Sequence, residues 1–204
     1  MSRCGAGNRG VVSWRDVFAE LSPPYSTIVA DPPWDYGSTF TPKPDGDEWQ
    51  KGAECPYSTM SVGDIAAMPV ASIAAPAAHL YLWTTNKFMC EAHDIVRAWG
   101  FEPKTIITWA KVQEDGSPSM KVGYWYRSAT EHAIFATRGV VERRTMSGNP
   151  TLVLSPRIKA HSAKPQAFLD MVERVSPGPY VELFARAPRL GWDSWGKGYE
   201  LGVA

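Results

Sequence analysis

Four consecutive residues, Asp31, Pro32, Pro33 and Trp34, are of the types needed to orient a planar amine. Two prolines in a row fix the backbone and remove two N–H donors, leaving carbonyls free to accept. Asp31 adds a carboxylate acceptor, and Trp34 adds a flat apolar face. An exocyclic amino group on a purine has two hydrogens to donate. If Asp31 and the Pro32 carbonyl accept both, the nitrogen lone pair is drawn out of ring conjugation and becomes nucleophilic, while the ring stacks on Trp34. The same letters also describe a stiff turn with a core tryptophan, and the tetrad alone leaves both readings open.

Such a site needs elements to hold it. Residues 26–30 (STIVA) form a short apolar, β-prone run that stops at Asp31, and open α/β sheets bind ligands at the carboxyl ends of their strands. Further strands are predicted at 79–84, 104–111, 131–137 and 180–185. Ser61, with Asp64 three residues on, has the pattern of a capping box and predicts a short helix over 61–68, closed by Pro69. Phe88, Ala92, Ile95, Val96 and Trp99 recur at helical spacing before Gly100, predicting an amphipathic helix over 87–99. Phe168, Met171, Val172 and Val175 predict another over 165–175, with Pro165 in its first turn. Residues 35–60 and 139–163 have no sustained period and read as two long loops, the second interrupted by an apolar patch at 152–154. The resulting order, β, helix, β, helix, β, β, helix, β, predicts an α/β fold: a mostly parallel sheet with helices on both faces.

The chain has 204 residues, 44% of them hydrophobic, with 17 Gly and 17 Pro, which predicts one globular domain and excludes wholesale disorder. We expect a single domain over 26–204, preceded by a partly flexible extension over 1–25. Residues 65–83 carry no charge, but Pro69, Ser72, Pro76 and His79 make them a poor membrane span. The N-terminal MSRCGAGNRG has no apolar stretch behind it, so no secretory signal and a cytoplasmic protein are expected. Cys4, Cys55 and Cys90 fit neither a disulfide framework nor a zinc site, and no metal centre is expected. Basic and acidic side chains balance at 21 each but are unevenly spread: 7 against 12 over 1–103, 10 against 4 over 104–164, and 4 against 5 over 165–204. The basic middle stretch suffices for a phosphate-contacting surface if the fold gathers it; otherwise it is a solvated face.

The tetrad also heads an ordered series of segments: ADPPW at 30–34, PYSTMS at 56–61, LYLWTTN at 80–86, RAWGF at 97–101, ITWAK at 107–111, GYWYRSATEH at 123–132, and AKPQAFLDMVERVSPG with YVELFAR across 163–186. In this series the chain resembles the catalytic-subunit family of mRNA N6-adenosine methyltransferases and its bacterial and phage adenine-methylating relatives, over roughly residues 26–200. The resemblance implies a class I, Rossmann-like methyltransferase fold, circularly permuted so that the catalytic strand precedes the cofactor strand. It implies S-adenosyl-L-methionine as cofactor and methyl transfer to N6 of adenine in a polynucleotide.

By the same resemblance, Asp31, Pro32, Pro33 and Trp34 are catalytic, and Tyr57, Arg127, Glu131 and His132 line the acceptor side. Asp31, Lys164, Phe184, Arg186 and Lys197 serve the cofactor, Lys164 by holding its carboxylate at a helix start. Phe184-Ala185-Arg186 lacks the glycine that many relatives carry after the Phe, and Lys197 stands where relatives often have Asn or Gln. The compact form favours DNA over RNA, acting alone, as a homodimer or with a paired subunit, away from membranes. A catalytically silent nucleic-acid-binding partner subunit is the alternative, as is methylation of a protein side-chain amide. Degraded Asp31 or Trp34 would mark the first and Asn in place of Asp31 the second; the chain has neither.

Overall fold

The computed structural model describes Phe18, residues 21–36, 59–120, 125–141, 148–156 and 164–196, and the backbone of two short strands at 40–42 and 49–51. Its centre is a seven-stranded sheet in the order β7-β5-β6-β4-β1-β8-β9. These strands are β1 (Tyr25–Ala30), β4 (Ala74–Thr84), β5 (Glu102–Val112), β6 (Thr130–Arg138), β7 (Leu152–Pro156), β8 (Tyr180–Leu183) and β9 (Trp192–Trp195). Within the first predicted loop, β2 (Phe40–Pro42) and β3 (Trp49–Lys51) pair as a separate antiparallel ribbon. In the main sheet β6 runs antiparallel to β4 and β5, and the remaining neighbours are parallel. The sheet is thus mostly parallel, as expected, and β8, late in the chain, lies beside the early β1, as a permuted order requires.

Side chains on a strand alternate between faces, which divides the core in two. Ile28, Leu80, Leu82, Ile134, Val181 and Leu183 pack with α1 (Val62–Ala66) and α2 (Met89–Ala98) on one side. Val29, Tyr81, Trp83, Ala133 and Trp109 pack with α3 (Gln166–Val175) on the other. The capping box at α1 forms as read: Ser61 Oγ accepts from the Asp64 N–H at 3.1 Å and donates to its carboxylate at 2.7 Å. Phe18 and Leu21 are buried in the first cluster, so the end of the N-terminal segment packs onto the domain.

Two expectations are corrected. The patch at 152–154 lies on β7, whose Leu152 and Leu154 are exposed because it is an edge strand. At the other edge the sheet also gains β9, a strand not predicted from the sequence. Finally, β4 begins at Ala74, five residues before its apolar run, because Ala74 pairs with Tyr25 beyond the register shift in β1. Among the described residues no helix is long and apolar enough to cross a membrane.

Candidate active site

The site grows from adjacent strand ends. Ala30 of β1 pairs with Leu183 of β8, and the Asp31 N–H still donates to the Leu183 carbonyl, at 3.3 Å. Asp31 and Phe184 therefore leave the sheet side by side. Lys164 approaches from just ahead of α3, its Nζ 2.6 Å from Asp31 Oδ2 and 3.4 Å from Glu131 Oε2. Glu131 Oε1 in turn accepts from Lys111 Nζ. The result is a row of alternating charge, Asp31, Lys164, Glu131, Lys111, in which the Lys164 and Lys111 side chains are only 9% and 4% exposed. Each ammonium also lies over an indole, Lys164 5.0 Å from the centre of Trp83 and Lys111 4.6 Å from that of Trp109. Burial alone would lower the Lys164 pKa, but Asp31 and Glu131 outweigh it and hold it above the ordinary lysine value.

The tetrad differs in detail from the sequence reading. The Pro32 carbonyl accepts from the Trp34 N–H, and the Pro33 carbonyl from the Met60 N–H, both at 2.9 Å. A carbonyl has two lone pairs, so Pro32 keeps one for a substrate, whereas Pro33 ties down the chain ahead of α1. Trp34 is not an open stacking face: it is 5% exposed, its ring stacks on Phe88 at 5.0 Å and 17°, and its Nε1 donates to the Trp83 carbonyl at 3.1 Å. The correction follows from apolar area, since Phe88 offers the indole a dry face that a mouth of the pocket does not.

Among the described residues, an aromatic left partly open beside the tetrad is Tyr36, 42% exposed, its hydroxyl 2.9 Å from Thr85 Oγ1 and its ring edge-on to Phe88. Its phenol is shifted above the ordinary value, first by burial and then, against the Thr85 hydrogen bond, by the charges of Glu131 and Asp31. Sequence reasoning passed over Tyr36, although it lies only two residues beyond the tetrad.

Glu131 and His132 are neighbours on β6 and so point to opposite faces. Only Glu131 joins the charge row. His132 Nδ1 meets Thr108 Oγ1 at 3.1 Å, its Nε2 meets Asn86 Oδ1 at 2.7 Å, and burial lowers its pKa despite Glu131. Arg127 is exposed on the segment leading into β6. Tyr57 and Lys197 lie outside the described residues.

Beside the row opens a pocket lined by Asp31, Lys164, Gln166, Leu169, Glu182, Phe184, Arg186 and Arg189. Two carboxylates, three cations and an aromatic ring line it together, a set suited to a ligand carrying both an ammonium and a carboxylate. Glu182 was not anticipated; burial, then the charge of Asp31, pushes its carboxyl up to about 7. Arg189 is occupied on the rim, its guanidinium donating to Glu173 at 2.8 Å, to Asp170 at 2.7 Å and to Gln166 at 2.6 Å.

The turn after β8 is closely packed at its backbone. Phe184 itself adopts φ 66°, the left-handed region that a side chain disfavours. The close approach is made by Gly196, where a Cβ would stand 2.2 Å from the Ala185 carbonyl oxygen and 2.8 Å from the Phe184 carbonyl carbon. Those atoms are backbone and cannot swing aside. Gly196→Ala is therefore expected to cost about 1–3 kcal/mol, as overpacking does, and to lower Tm by about 2–12 °C. Thermal unfolding with unchanged Tm would contradict this.

A mostly parallel, permuted α/β sheet with an acidic tetrad beside a zwitterion-compatible pocket at its carboxyl edge is the architecture of a class I methyltransferase. Comparison with known proteins gives the family: residues 25–198 match the MT-A70 family model, and the chain belongs to that family. It is 31% identical to the type II methyltransferase M.MunI of Mycoplasma sp, over 89% of this chain and 81% of that protein. It is also 31% identical to the N6-methyladenosine RNA methyltransferase MTA1 of Cryphonectria parasitica, spanning 91% of this chain but 55% of MTA1. With the human N(6)-adenosine-methyltransferase catalytic subunit METTL3 it shares 25% identity, over 79% of this chain and 26% of METTL3.

Proposed function

We propose that this chain transfers a methyl group from S-adenosyl-L-methionine to the N6 amino group of adenine in DNA. The observation that carries the reading is Asp31, held at the end of β1 by Lys164, where the charge row meets the pocket. The pocket's donors and acceptors fit this cofactor: Lys164 and Arg186 for its carboxylate and hydroxyls, and Asp31 and Glu182 for its cationic groups. When bound, the cofactor supplies an electrophilic methyl on a sulfonium that is already a good leaving group.

The chain's own part is positioning and electrostatics. Asp31 and the remaining lone pair of the Pro32 carbonyl accept the two amine hydrogens, which aims the nitrogen lone pair into the pocket. As positive charge develops on the nitrogen, the Asp31 carboxylate is already in place to meet it. Tyr36 packs the base where Trp34 was expected to, and Trp34 instead braces the loop. DNA is favoured because the chain covers most of the type II methyltransferase M.MunI but about half of the RNA methyltransferase MTA1. We place the protein in the cytoplasm, working alone or as a pair.

The test is tritiated methyl transfer from S-adenosylmethionine to matched single- and double-stranded DNA and RNA pools, with nucleoside digestion to identify the product. N6-methyladenine formed preferentially in DNA is the expected result. Cofactor binding without transfer to any pool would overturn the reading.

Glu182 makes this reading pH-dependent. Its carboxyl stays protonated until about pH 7, and only the ionised form attracts a cationic cofactor, so affinity should rise as pH increases through about 7. The unbound fold shows the opposite trend. A carboxyl whose pKa is raised on folding stabilises the fold in its protonated form, and that stability is lost as pH rises from about 4.5 to about 7. Glu182→Gln should flatten both profiles, which calorimetric cofactor titration across about pH 7 and Tm measured between about pH 4.5 and about 7 would show.

A further inference from the structure

We propose that Trp125 and Tyr126 form a stacking ledge for the bases that flank the target adenine, an inference that rests on the reading of this chain as an enzyme acting on a nucleic acid strand. The two rings are neighbours in sequence and are 84% and 93% exposed. Aromatic surface of this size is ordinarily buried, and it is the surface on which unpaired bases stack. The other strongly exposed apolar side chains, Val140, Leu190 and Leu154, are aliphatic and present no π face.

Position points to the same ligand. The segment is anchored just downstream, where the Lys111 N–H donates to the Ala129 carbonyl at 2.8 Å and β6 begins at Thr130, one residue before Glu131 of the charge row. Four residue steps from Tyr126 to Thr130 span at most about 14 Å, a few times the roughly 3.4 Å between successive bases of a strand. The ledge is therefore tethered within about 14 Å of the start of the strand that carries Glu131 of the charge row. Arg127, also exposed, adjoins the pair, and a guanidinium there suits a phosphate backbone. A base drawn out of its stack leaves its neighbours with bare faces, and two adjacent exposed aromatic rings can replace the lost stacking.

The test is a thermodynamic cycle on binding. Wild type and Trp125→Ala/Tyr126→Ala are titrated with a short labelled single strand, in deoxy and ribo form, centred on one adenine. The same titrations are run on that strand with abasic sites on both sides of the adenine. The double variant should bind the intact strand roughly 5- to 150-fold more weakly for each stack lost. Wild type should lose a similar factor on the abasic strand, and the variant little more. Trp125→Phe/Tyr126→Phe, which keeps both π faces, should retain wild-type affinity and serves if the alanine variant fails to fold. Equal losses to abasic substitution in wild type and alanine variant would overturn the proposal. So would loss of affinity in the phenylalanine variant, or an alanine variant that binds the strand normally while sedimenting as a smaller species, which would make this a protein–protein face. Wild type that shows the coupling yet transfers no methyl would remove the methyltransferase reading and leave the ledge in place.

Discussion

Asp31→Asn is expected to lower kcat for methyl transfer by about 10²–10³-fold, the usual cost of removing a preorganised electrostatic group, while the fold persists. The substitution preserves shape but exchanges one acceptor oxygen for an NH2 donor, and Lys164 Nζ then loses the carboxylate that stands 2.6 Å away. Two consequences compound. The substrate amine loses an acceptor for one of its hydrogens, and the charge growing on that nitrogen in the transition state is no longer met by an anion. Because the lost interaction strengthens as the reaction proceeds, the defect should appear in kcat more than in KM for the nucleic acid. Steady-state kinetics on the preferred polymer would decide the matter, and activity within tenfold of wild type would show that Asp31 is not the group that orients the amine.

Lys164→Met is expected to have the largest effect on stability. It keeps the length and apolar stem over Trp83 but leaves Asp31 and Glu131 facing each other without the cation between them. Removing one partner from a buried ion pair costs about 3–5 kcal/mol, which for a chain of this size lowers Tm by about 6–20 °C. Cofactor binding should fail as well, since Lys164 is the pocket cation beside Asp31. The two effects can be separated by adding Asp31→Asn. The double variant removes the charge left without a cation, since Glu131 keeps Lys111, and should recover part of the stability without recovering cofactor binding. A Tm equal to wild type in the single variant would show that water already screens the row.

The strand end that carries the candidate site was legible in the sequence because the information is local. An apolar run stopping at Asp31, two prolines and a capping box at Ser61 each act within a few residues, and the ordered segments from 30 to 186 carry the resemblance to adenine methyltransferases. The helical spacing of α2 and α3 was equally plain, because each buries one stripe against the sheet. The edge strands were not legible. With one neighbour instead of two, β7 buries too little to impose the apolar pattern of the inner strands, and β9 is only four residues long.

The tertiary structure alone decided which charged groups meet. Lys111 read as one more basic residue and Glu182 as part of a strand; the first became the buried partner of Glu131 and the second a pocket carboxyl pushed up to about 7. The parity of β6 separated Glu131 from His132, and the presence of Phe88 turned Trp34 from a stacking face into a brace. Residue types set what each side chain can do, and that much is written along the chain. Which partners it finds depends on contacts between residues far apart in the chain, 133 positions for Lys164 and Asp31, and on the burial that makes those contacts strong.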